Sequence, residues 1–559
     1  MTAPATTLSA AGTDGRRGLI ALALLGTALR LGLVWSGACD NRVVADDAFY
    51  YFAIARNVAA GLGPTFDGLA ATNGFHPLWL LLLTPVFALA QALHLGPWVA
   101  VHLALSLCAL LDVASGALLW RLLRRLGAPR GAHWAAAAWF LSPFTVLLSL
   151  RGLESALNVT LFAAWLTAAA WALGDGAAGA RRGALVGIVT WIAFLARTDN
   201  APLLGAALAA ATLAALLARR PDRVPGGVPG RSLGPARRWR GGLAFLATAG
   251  LVTALLALPW FLWNLGVFGT PWQVSGAAKL ANPQIFGHVP GDWGNRLRFL
   301  VAAVWVPAYF VAGETMKQRP AYTAVATAVW TLLAALAPFL LRALWRPRAA
   351  PQPAVAAALL AYLAAHAVVY VLLLRTYVVW YATVPVFALV ALFVGLGAER
   401  LLGRMPAPAR AVAAGLALLA AGAIYGQYFR ATRFVPRGEE RTVRPILTKI
   451  VRQAPGTRTV GIFNAGAAGY FAPEVGPIAV VNLDGLVNNA AVEAWRAGGY
   501  LGYLERNVDV VINDANGALG FLLGPGNRPR FEERYPRWPG SSLIRGPMLQ
   551  EPVRPDPRR

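Results

Sequence analysis

The sequence predicts a polytopic α-helical membrane protein that ends in a small α/β domain. Of its 559 residues, 57% are hydrophobic and only 13% are charged, and the mean hydropathy is +0.54. Apolar runs of about 18 to 25 residues recur along the chain, which is the length that an α-helix needs to cross a membrane. From about Phe434 these runs give way to short β-branched segments separated by Gly, Asn and Asp. That change is typical of strands alternating with helices.

The net charge of +25 lies between the apolar runs rather than on one surface. The arginine clusters are at residues 16–17, 121–130, 181–182, 219–240, 342–348 and 400–410. Such clusters mark cytoplasmic loops and argue against nucleic acid as a partner. All six become cytoplasmic if the helices at 76–93 and near 297–311 lie on the membrane or dip into it without crossing. This solution predicts about eleven spans and an extracytoplasmic C-terminus.

The predicted spans follow in order from a first run that lacks a cleavage site and is therefore expected to be an anchor. They are residues 19–35, 96–119, 133–150, 155–173, 184–195, 202–217, 243–265, 321–341, 355–374, 384–396 and 411–425. The predicted domains are a cytoplasmic tail over 1–17, a transmembrane domain over 18–433 with its first outer loop at 37–97, and an extracytoplasmic domain over 434–559. We expect the protein in the plasma (inner) membrane.

The predicted C-terminal domain has three strands and at least two helices. The strands are expected at Thr459–Phe463, Ile478–Leu483 and Val508–Ile512, and the helices at Ala490–Ala497 and Leu501–Arg506. These β-branched runs and the helix-like segments between them predict an α/β arrangement.

Two turns in this domain are rich in Gly and Asn. The spacing of glycines between Gly461 and Gly469 does not fit a dinucleotide-binding loop. The turn from Asn482 to Asn489 has the composition of a sugar-binding loop, but hydrogen bonds between Asx side chains and their own backbone explain it equally well.

The first outer loop opens with two adjacent carboxylates, Asp46 and Asp47, directly after the first span. Asp is a good N-cap and is favoured at the positive end of a helix. One Asp would suffice for capping, so two of them beside a span favour a catalytic role. Charged side chains within lipid cost a few kcal/mol, so acidic residues at this depth usually face water or a cavity.

An aromatic helix is predicted after the Asp pair, ending at Gly61 and Gly63. Phe49 and Phe52 belong to an apolar face that is expected to lie in the membrane interface, and Arg56 is on the polar side. His76, before a proline, begins a second apolar helix.

Further charged and aromatic residues share the outer surface under the predicted topology. They are Arg151, Glu154, Arg197, Asp199, Lys279, Arg375, Tyr377 and Tyr381. Each alone is explained by snorkelling or by structural ion pairing. Together with Arg56 and His76 they predict a polar cavity with aromatic walls that binds an anionic, lipid-linked substrate.

Such a cavity suits glycosyl transfer from a polyprenyl phosphate sugar, because nucleotide sugars are not expected outside the cytoplasm. Asp46 or Asp47 would accept the proton of an acceptor hydroxyl. Arg375 and Lys279 would stabilise the departing phosphate. A divalent cation at the Asp pair is the one cofactor that the sequence leaves open, but no third ligand is evident and no other metal site is predicted.

The residues of the first loop resemble those of the GT-C superfamily of integral membrane glycosyltransferases. The resemblance covers roughly Val44 to Trp79, with the DD pair, the segment Ala55-Arg56-Asn57, the segment Gly61 to Phe66 and the His-Pro helix. It is strongest to bacterial polyprenyl-phosphate-sugar enzymes, including the mycobacterial terminal arabinofuranosyltransferases. Protein O-mannosyltransferases and the aminoarabinose transferases of lipid A are more distant.

The resemblance implies that Asp46 and Asp47 carry catalysis and that the two loop helices lie along the membrane. It also implies an outer C-terminal domain with a role in binding the acceptor, which is a glycan, a lipid or a protein. The WWDYG motif of oligosaccharyltransferases is absent from the sequence, which argues against transfer of whole glycans to asparagine.

Two other classes remain open at this stage. A polyprenyl-linked sugar flippase or transporter would also be polytopic, but it would carry its charges near the midplane on paired inverted halves. A non-catalytic assembly protein of the cell envelope would need no Asp pair. The sugar, the linkage and the oligomeric state have no signal in the sequence.

Overall fold

The computed structural model describes most of the membrane part and most of the C-terminal segment. The described residues are 7–41, 43–174, 179–218, 235–286, 351–374, 378–397, 399, 404–432, 437–512, 518–524, 526–539, 541 and 543–546.

The described helices of the membrane part, in chain order, are α1 (Thr7–Trp35), α2 (Asp46–Ala59), α3 (Pro77–Ala92), α4 (Pro97–Arg125), α5 (Pro129–Leu141), α6 (Pro143–Ser149), α7 (Ser155–Gly174), α8 (Ala180–Ala196), α9 (Asn200–Leu217), α10 (Pro235–Phe268), α11 (Val274–Ala281), α12 (Pro283–Phe286), α13 (Pro351–Ala367), α14 (Thr383–Leu389) and α15 (Ala407–Thr432). π-Helical turns extend α13 over Val368–Leu373 and α14 over Val390–Gly397, and a 3-10 turn at Val379–Ala382 precedes α14.

The described C-terminal elements are a π-turn (Glu439–Val443), α16 (Arg444–Gln453), β1 (Thr459–Ile462), α17 (Gly466–Phe471), a 3-10 turn (Ala472–Glu474), β2 (Ala479–Asn482), α18 (Asn489–Arg496), α19 (Tyr500–Asn507), β3 (Val510–Ile512), α20 (Ala518–Leu523), α21 (Arg528–Arg534) and β4 (Ile544–Arg545).

Eight described helices are long and apolar enough to cross a membrane, or nine if one bent pair counts as a span. They lie in α1, α4, α7, α9, α10, α13 with its π-turn, α14 with the turns on either side of it, and α15. The polytopic helical fold expected from the sequence is therefore confirmed. The predicted total of about eleven stays a prediction, because the expected span 321–341 and the surface helix near 297–311 lie outside the described residues.

The span expected at residues 133–150 is not one continuous helix. The helix breaks between α5 and α6, whose axes differ by 58°. Ser142 is extended, with ψ of 126°, because a residue before proline is pushed out of the helical region. Pro143 then starts the second helix. The run is a broken span or a re-entrant segment rather than a straight helix.

Helix α3 was expected not to cross the membrane. It has 16 residues, fewer than the about 20 that span the hydrocarbon core. Its length agrees with that expectation.

The chain forms two compact units that interleave along the sequence. The helical unit contains the described residues within Met1–Cys39, Leu105–Pro259 and Gly287–Phe434. The α/β unit contains the described residues within Asp40–Ala104, Trp260–Phe286 and Val435–Arg559. The domain bounds predicted from the sequence stay a prediction, and the first outer loop shares its compact unit with the C-terminal segment.

A buried ion pair lies within the helical unit, between α1 and α4. Both nitrogens Nε and Nη2 of Arg30 donate to Oδ2 of Asp112, at 3.0 and 2.6 Å. The same guanidinium donates to the carbonyl oxygens of Gly26, Trp139 and Phe140. Both side chains are fully buried. An unpaired charge inside a membrane protein is costly. Removal of either Arg30 or Asp112 would leave the other charge buried without its partner, so the pair stabilises the contact between the two helices only when both are present.

The α/β unit contains a four-stranded sheet in the order β2-β1-β3-β4. β1 pairs in parallel with β2 and β3, with Gly461 opposite Val481 and Val511, and β4 pairs antiparallel with β3. The three strands expected from the sequence are present, and the predicted α/β character is confirmed. The two-residue β4 was not predicted, because two residues carry no readable period.

The aromatic helix α2 does not expose an apolar face. Phe49, Tyr50, Phe52 and Ile54 are all at most 5% exposed. Phe49 and Phe52 pack against Tyr470 of α17, with ring centroids 5.6 and 6.1 Å apart. The expectation that this face lies in the membrane interface is wrong, because the protein itself covers it. Gly61 ends the helix region with φ of +79°, which glycine adopts without strain.

We expect Arg30→Ala to destabilise the protein by about 3–5 kcal/mol, because it leaves the buried Asp112 carboxylate without its cation. Thermal unfolding of the detergent-purified protein measures this loss. The double variant Arg30→Met/Asp112→Leu, which removes both charges, should recover a large part of the stability. An Arg30→Ala variant as stable as the wild type would contradict the role given to the pair.

Candidate active site

Asp46 and Asp47 form the first turn of α2. The residue before them, Ala45, has extended backbone angles and no side-chain cap. Both carboxylates therefore lie at the positive end of the helix dipole, where negative charge is favoured. They are half-buried, and the pair is placed as the sequence predicted, at the start of the loop helix.

Two backbone N–H groups of the C-terminal segment hold the Asp46 carboxylate. Gly466 donates to Oδ2 at 3.0 Å, and Ala467 donates to Oδ1 at 2.9 Å. Both donors open α17, directly after the turn that follows β1. Each carboxylate oxygen thus has one fixed donor, which sets the orientation of the whole group.

The surroundings raise the pKa of the Asp46 carboxyl from its usual value to about 7. Loss of hydration is the largest cause, and the negative charges of Asp47 and Asp484 add to it. The N–H groups of Ala467 and Gly466 oppose the rise because they favour the charged form. A carboxyl with this pKa exchanges its proton near neutral pH, which is what a general base requires.

The Tyr50 hydroxyl connects α2 to the third carboxylate of this region, Asp484. It accepts hydrogen bonds from the Ala465 N–H at 2.9 Å and from Nδ2 of Asn482 at 3.0 Å, and it lies 3.4 Å from Oδ2 of Asp484. Burial and the nearby carboxylates raise the pKa of Tyr50 well above its usual value. The phenol therefore stays protonated and donates to Asp484.

Asp484 was not predicted as a site residue. Its Oδ1 accepts the N–H of Leu486 at 3.0 Å, and its Oδ2 accepts the N–H of Asn464 at 2.9 Å. Burial nevertheless raises the pKa of this carboxyl. The Asx-turn interpretation of residues 482–489 accounts for the first of these bonds. The contact between Asp484 and Tyr50 joins residues that are 434 positions apart in the sequence. No local sequence pattern indicates such a contact.

Arg56, predicted to bind substrate, contacts the other end of α17. Its Nη1 donates to the Tyr470 carbonyl at 2.6 Å and its Nη2 to that of Gly469 at 3.4 Å. The guanidinium also lies 5.0 Å from the centre of the Tyr470 ring. Because α17 meets Asp46 at its N–H end and Arg56 at its carbonyl end, α2 complements both ends of the short helix. The predicted role of Arg56 in substrate binding stays a prediction, in addition to this structural role.

His76 and Lys279 also belong to the α/β unit. His76 precedes α3 as its N-cap, its N–H donates to the Tyr51 hydroxyl at 3.3 Å, and its Nδ1 lies 3.5 Å from Nε2 of Gln273. Lys279 lies in the last turn of α11 and is half-buried. Neither position tests the predicted contact with substrate.

A second charged cluster, in the helical unit, unites predicted residues from three segments. Arg197 donates to Oε1 of Glu154 at 2.5 Å and to both carboxylate oxygens of Asp199 at 3.1 and 2.7 Å. Its guanidinium lies 4.8 Å from the ring centre of Tyr381. Tyr370, which was not predicted, accepts from Arg197 at 3.0 Å and donates to Asp199.

Arg151 is half-buried. Its guanidinium stacks 5.3 Å from the ring centre of Trp380. Arg375 and Tyr377 lie outside the described residues, so their predicted roles stay predictions.

No group of three or more His, Cys, Asp or Glu side chains in the described ranges is arranged to hold a metal ion. The divalent cation left open for Asp46 and Asp47 stays a prediction. The two cysteines, Cys39 and Cys108, are buried and are not joined by a disulfide bond.

Comparisons with known proteins find the similarity in the fold and not in the sequence. No family model and no curated protein sequence matches the chain. Among solved structures, the Archaeoglobus fulgidus oligosaccharyltransferase in its apo form matches over 93% of this chain and 72% of its own, with a TM-score of 0.55 and 14% identity.

Two further structures have bound lipid phosphates. Archaeal oligosaccharyltransferase AglB from Archaeoglobus fulgidus, in complex with an inhibitory peptide and a dolichol-phosphate, matches over 93% of this chain and 72% of its own, with a TM-score of 0.51 and 15% identity. ArnT from Cupriavidus metallidurans, bound to undecaprenyl phosphate, matches over 90% of this chain and 95% of its own, with a TM-score of 0.50 and 18% identity. The chain has the GT-C fold.

The fold expected from the resemblance of residues Val44 to Trp79 is therefore confirmed. It also agrees with an integral membrane protein, as the candidate spans do. At 14 to 18% identity these matches concern the fold alone.

We expect Asp46 to react with a hydrophobic carbodiimide, which modifies protonated carboxyls, with a pH midpoint of about 7. Peptide mass spectrometry of the labelled, detergent-purified protein measures the modified fraction across the pH range. Asp46→Asn is the control that separates this signal from labelling of Asp47. A midpoint near the usual value of about 3.9 for an Asp carboxyl would contradict the environment described here.

Proposed function

We propose that this protein is an integral membrane glycosyltransferase that moves a single sugar from a polyprenyl phosphate donor to a cell-envelope acceptor on the extracytoplasmic side. The observation that carries the proposal is the Asp46 carboxylate, which is fixed by two N–H donors and has a pKa of about 7. It occurs in a chain whose fold is similar to that of ArnT, a protein solved with undecaprenyl phosphate.

In the proposed reaction, Asp46 or its neighbour Asp47 accepts the proton of the acceptor hydroxyl. The hydroxyl oxygen attacks the anomeric carbon as the bond from that carbon to the phosphate oxygen breaks. The bonding electrons leave with polyprenyl phosphate, and the configuration at the anomeric carbon inverts. Lys279 and Arg375 are the cations proposed to stabilise the phosphate as its charge develops.

The cluster around Arg197 is proposed to order polar side chains for the substrate. Four of the five N–H groups of its guanidinium have partners in Glu154, Asp199 and Tyr370. If Arg197 bound a phosphate directly, the phosphate would compete with these hydrogen bonds. Glu154, Asp199 and Tyr381, together with Arg151, are proposed to contact the sugar or the lipid headgroup.

The acceptor class is left open between glycan, lipid and protein. One of the similar structures is the Archaeoglobus fulgidus enzyme tethered with an acceptor peptide that contains the NVT sequon. The sequence here lacks the WWDYG motif, so a single-sugar transfer is favoured over transfer of a whole glycan to asparagine.

Purified wild-type protein and the variants Asp46→Asn and Asp47→Asn should be incubated with a panel of polyprenyl phosphate sugars, with and without cell-envelope acceptor. We expect release of polyprenyl phosphate by the wild type and a loss of at least about 100-fold in the variant that lacks the base. Mass spectrometry of the lipid phosphate measures the turnover and identifies the sugar.

The matched control is Asp67→Asn, which changes an acidic residue of the same loop that caps its own turn through the N–H groups of Leu69 and Ala70. It should retain turnover. Unchanged turnover in both Asp46→Asn and Asp47→Asn would remove the catalytic assignment. Donor binding without consumption under every acceptor would instead favour the flippase alternative.

A further inference from the structure

The turn between β1 and α17 donates to Asp46, but the steps of the proposed reaction give this turn no function of its own. Four successive N–H groups point to side chains of functional interest. Asn464 donates to Asp484, Ala465 donates to the Tyr50 hydroxyl, and Gly466 and Ala467 donate to the two oxygens of Asp46. We call residues 464–467 the carboxylate turn.

The carboxylate turn fits closely against Asp46. A Cβ at Gly466 would lie 2.1 Å from the carbonyl oxygen of Asp46 and 2.9 Å from its Oδ2. Backbone atoms cannot yield as a flexible side chain can, so any larger residue at 466 must displace the turn or Asp46. Asn464 adopts φ of +49°, which is uncommon outside glycine and brings successive N–H groups to one side.

The other end of the turn is anchored by buried groups. Asp484 is 6% exposed and is held by the N–H of Leu486 as well as by that of Asn464. Asn482 is 1% exposed and donates to the Tyr50 hydroxyl. Tyr50 lies four residues after Asp46, on the same side of α2. The carboxylate turn is therefore fixed to α2 at two points one helical turn apart.

We propose that the carboxylate turn is a positioning element for the reaction, which holds the Asp46 carboxylate in the orientation needed to accept the proton. The inference rests on the proposed function of Asp46. It gives the C-terminal segment a part in proton transfer, in addition to any role in binding the acceptor. A group held by fixed dipoles needs no reorganisation during the reaction, and a displacement of about 1 Å can cost about 100-fold in rate.

The alternative is that these bonds only attach the C-terminal segment to the first loop. Both explanations predict some loss of stability when the turn changes. Only a positioning role predicts that kcat and the titration of Asp46 change while the protein stays folded and the KM for donor is little altered.

The test compares Gly466→Ala with Gly520→Ala in purified full-length protein. Gly520 lies in helix α20 of the same unit, and a Cβ there meets nothing within 4 Å, so the control makes the same chemical change without a clash. We expect Gly466→Ala to lose about 100-fold in kcat. We also expect its Asp46 carbodiimide midpoint to move to higher pH, because the lost N–H donors favoured the charged carboxylate.

Tyr50→Phe tests the same proposal with a smaller change. It removes the hydroxyl that accepts from Ala465 but keeps the ring, whose centroid lies 5.2 Å from that of Phe66. We expect a fall in kcat of about 10-fold, with the Asp46 midpoint displaced in the same direction as in Gly466→Ala. If Gly466→Ala fails to fold, Tyr50→Phe decides the question.

Two results would overturn the positioning role. One is a folded Gly466→Ala or Tyr50→Phe variant with the kcat and the carbodiimide midpoint of the Gly520→Ala control. The other is a loss that appears wholly in KM. Because labelling of Asp46 needs no turnover, a displaced midpoint in a protein that transfers no sugar from any donor would retain the positioning geometry and reject the proposed glycosyltransfer.

Discussion

The hydrogen bonds between the Asp46 carboxylate and the N–H groups of Gly466 and Ala467 organise the α/β unit. Partial burial removes hydration from the Asp46 carboxylate, which raises its pKa to about 7. The two N–H donors oppose this rise in the pKa but do not cancel it. The result is a carboxyl that is fixed in space yet close to balance between its two protonation states at neutral pH, and both properties suit a general base.

The same contact explains why α2 is buried on all sides. The helix carries acid at its start and Arg56 near its end, and α17 presents N–H groups to the first and carbonyls to the second. The aromatic residues between them pack against Tyr470 and Phe471. Charge complementarity at the two ends and aromatic packing between them fix the register of one helix against the other.

Much of the fold could be predicted from the sequence, because its signals are local. Apolar length predicts the spans, and β-branched runs predict β1, β2 and β3. The Asp pair could also be found, since N-capping explains one acid at the start of a helix but does not require two. By contrast, Asp484 and Gly466 meet α2 across more than 400 positions. A pattern read within a window of 20 residues cannot contain such a contact. The amphipathic pattern of α2 predicts an apolar face, but it does not distinguish a face covered by lipid from one covered by protein.

The pH dependence of kcat/KM for donor in the wild-type protein tests the central claim most directly. A base with a pKa of about 7 is protonated and inactive below that pH. We therefore expect kcat/KM to fall tenfold per pH unit on the acid side of about 7 and to reach a plateau above it. A profile that stays flat from neutral pH down to about 5, below which an ordinary Asp carboxyl begins to titrate, would contradict it.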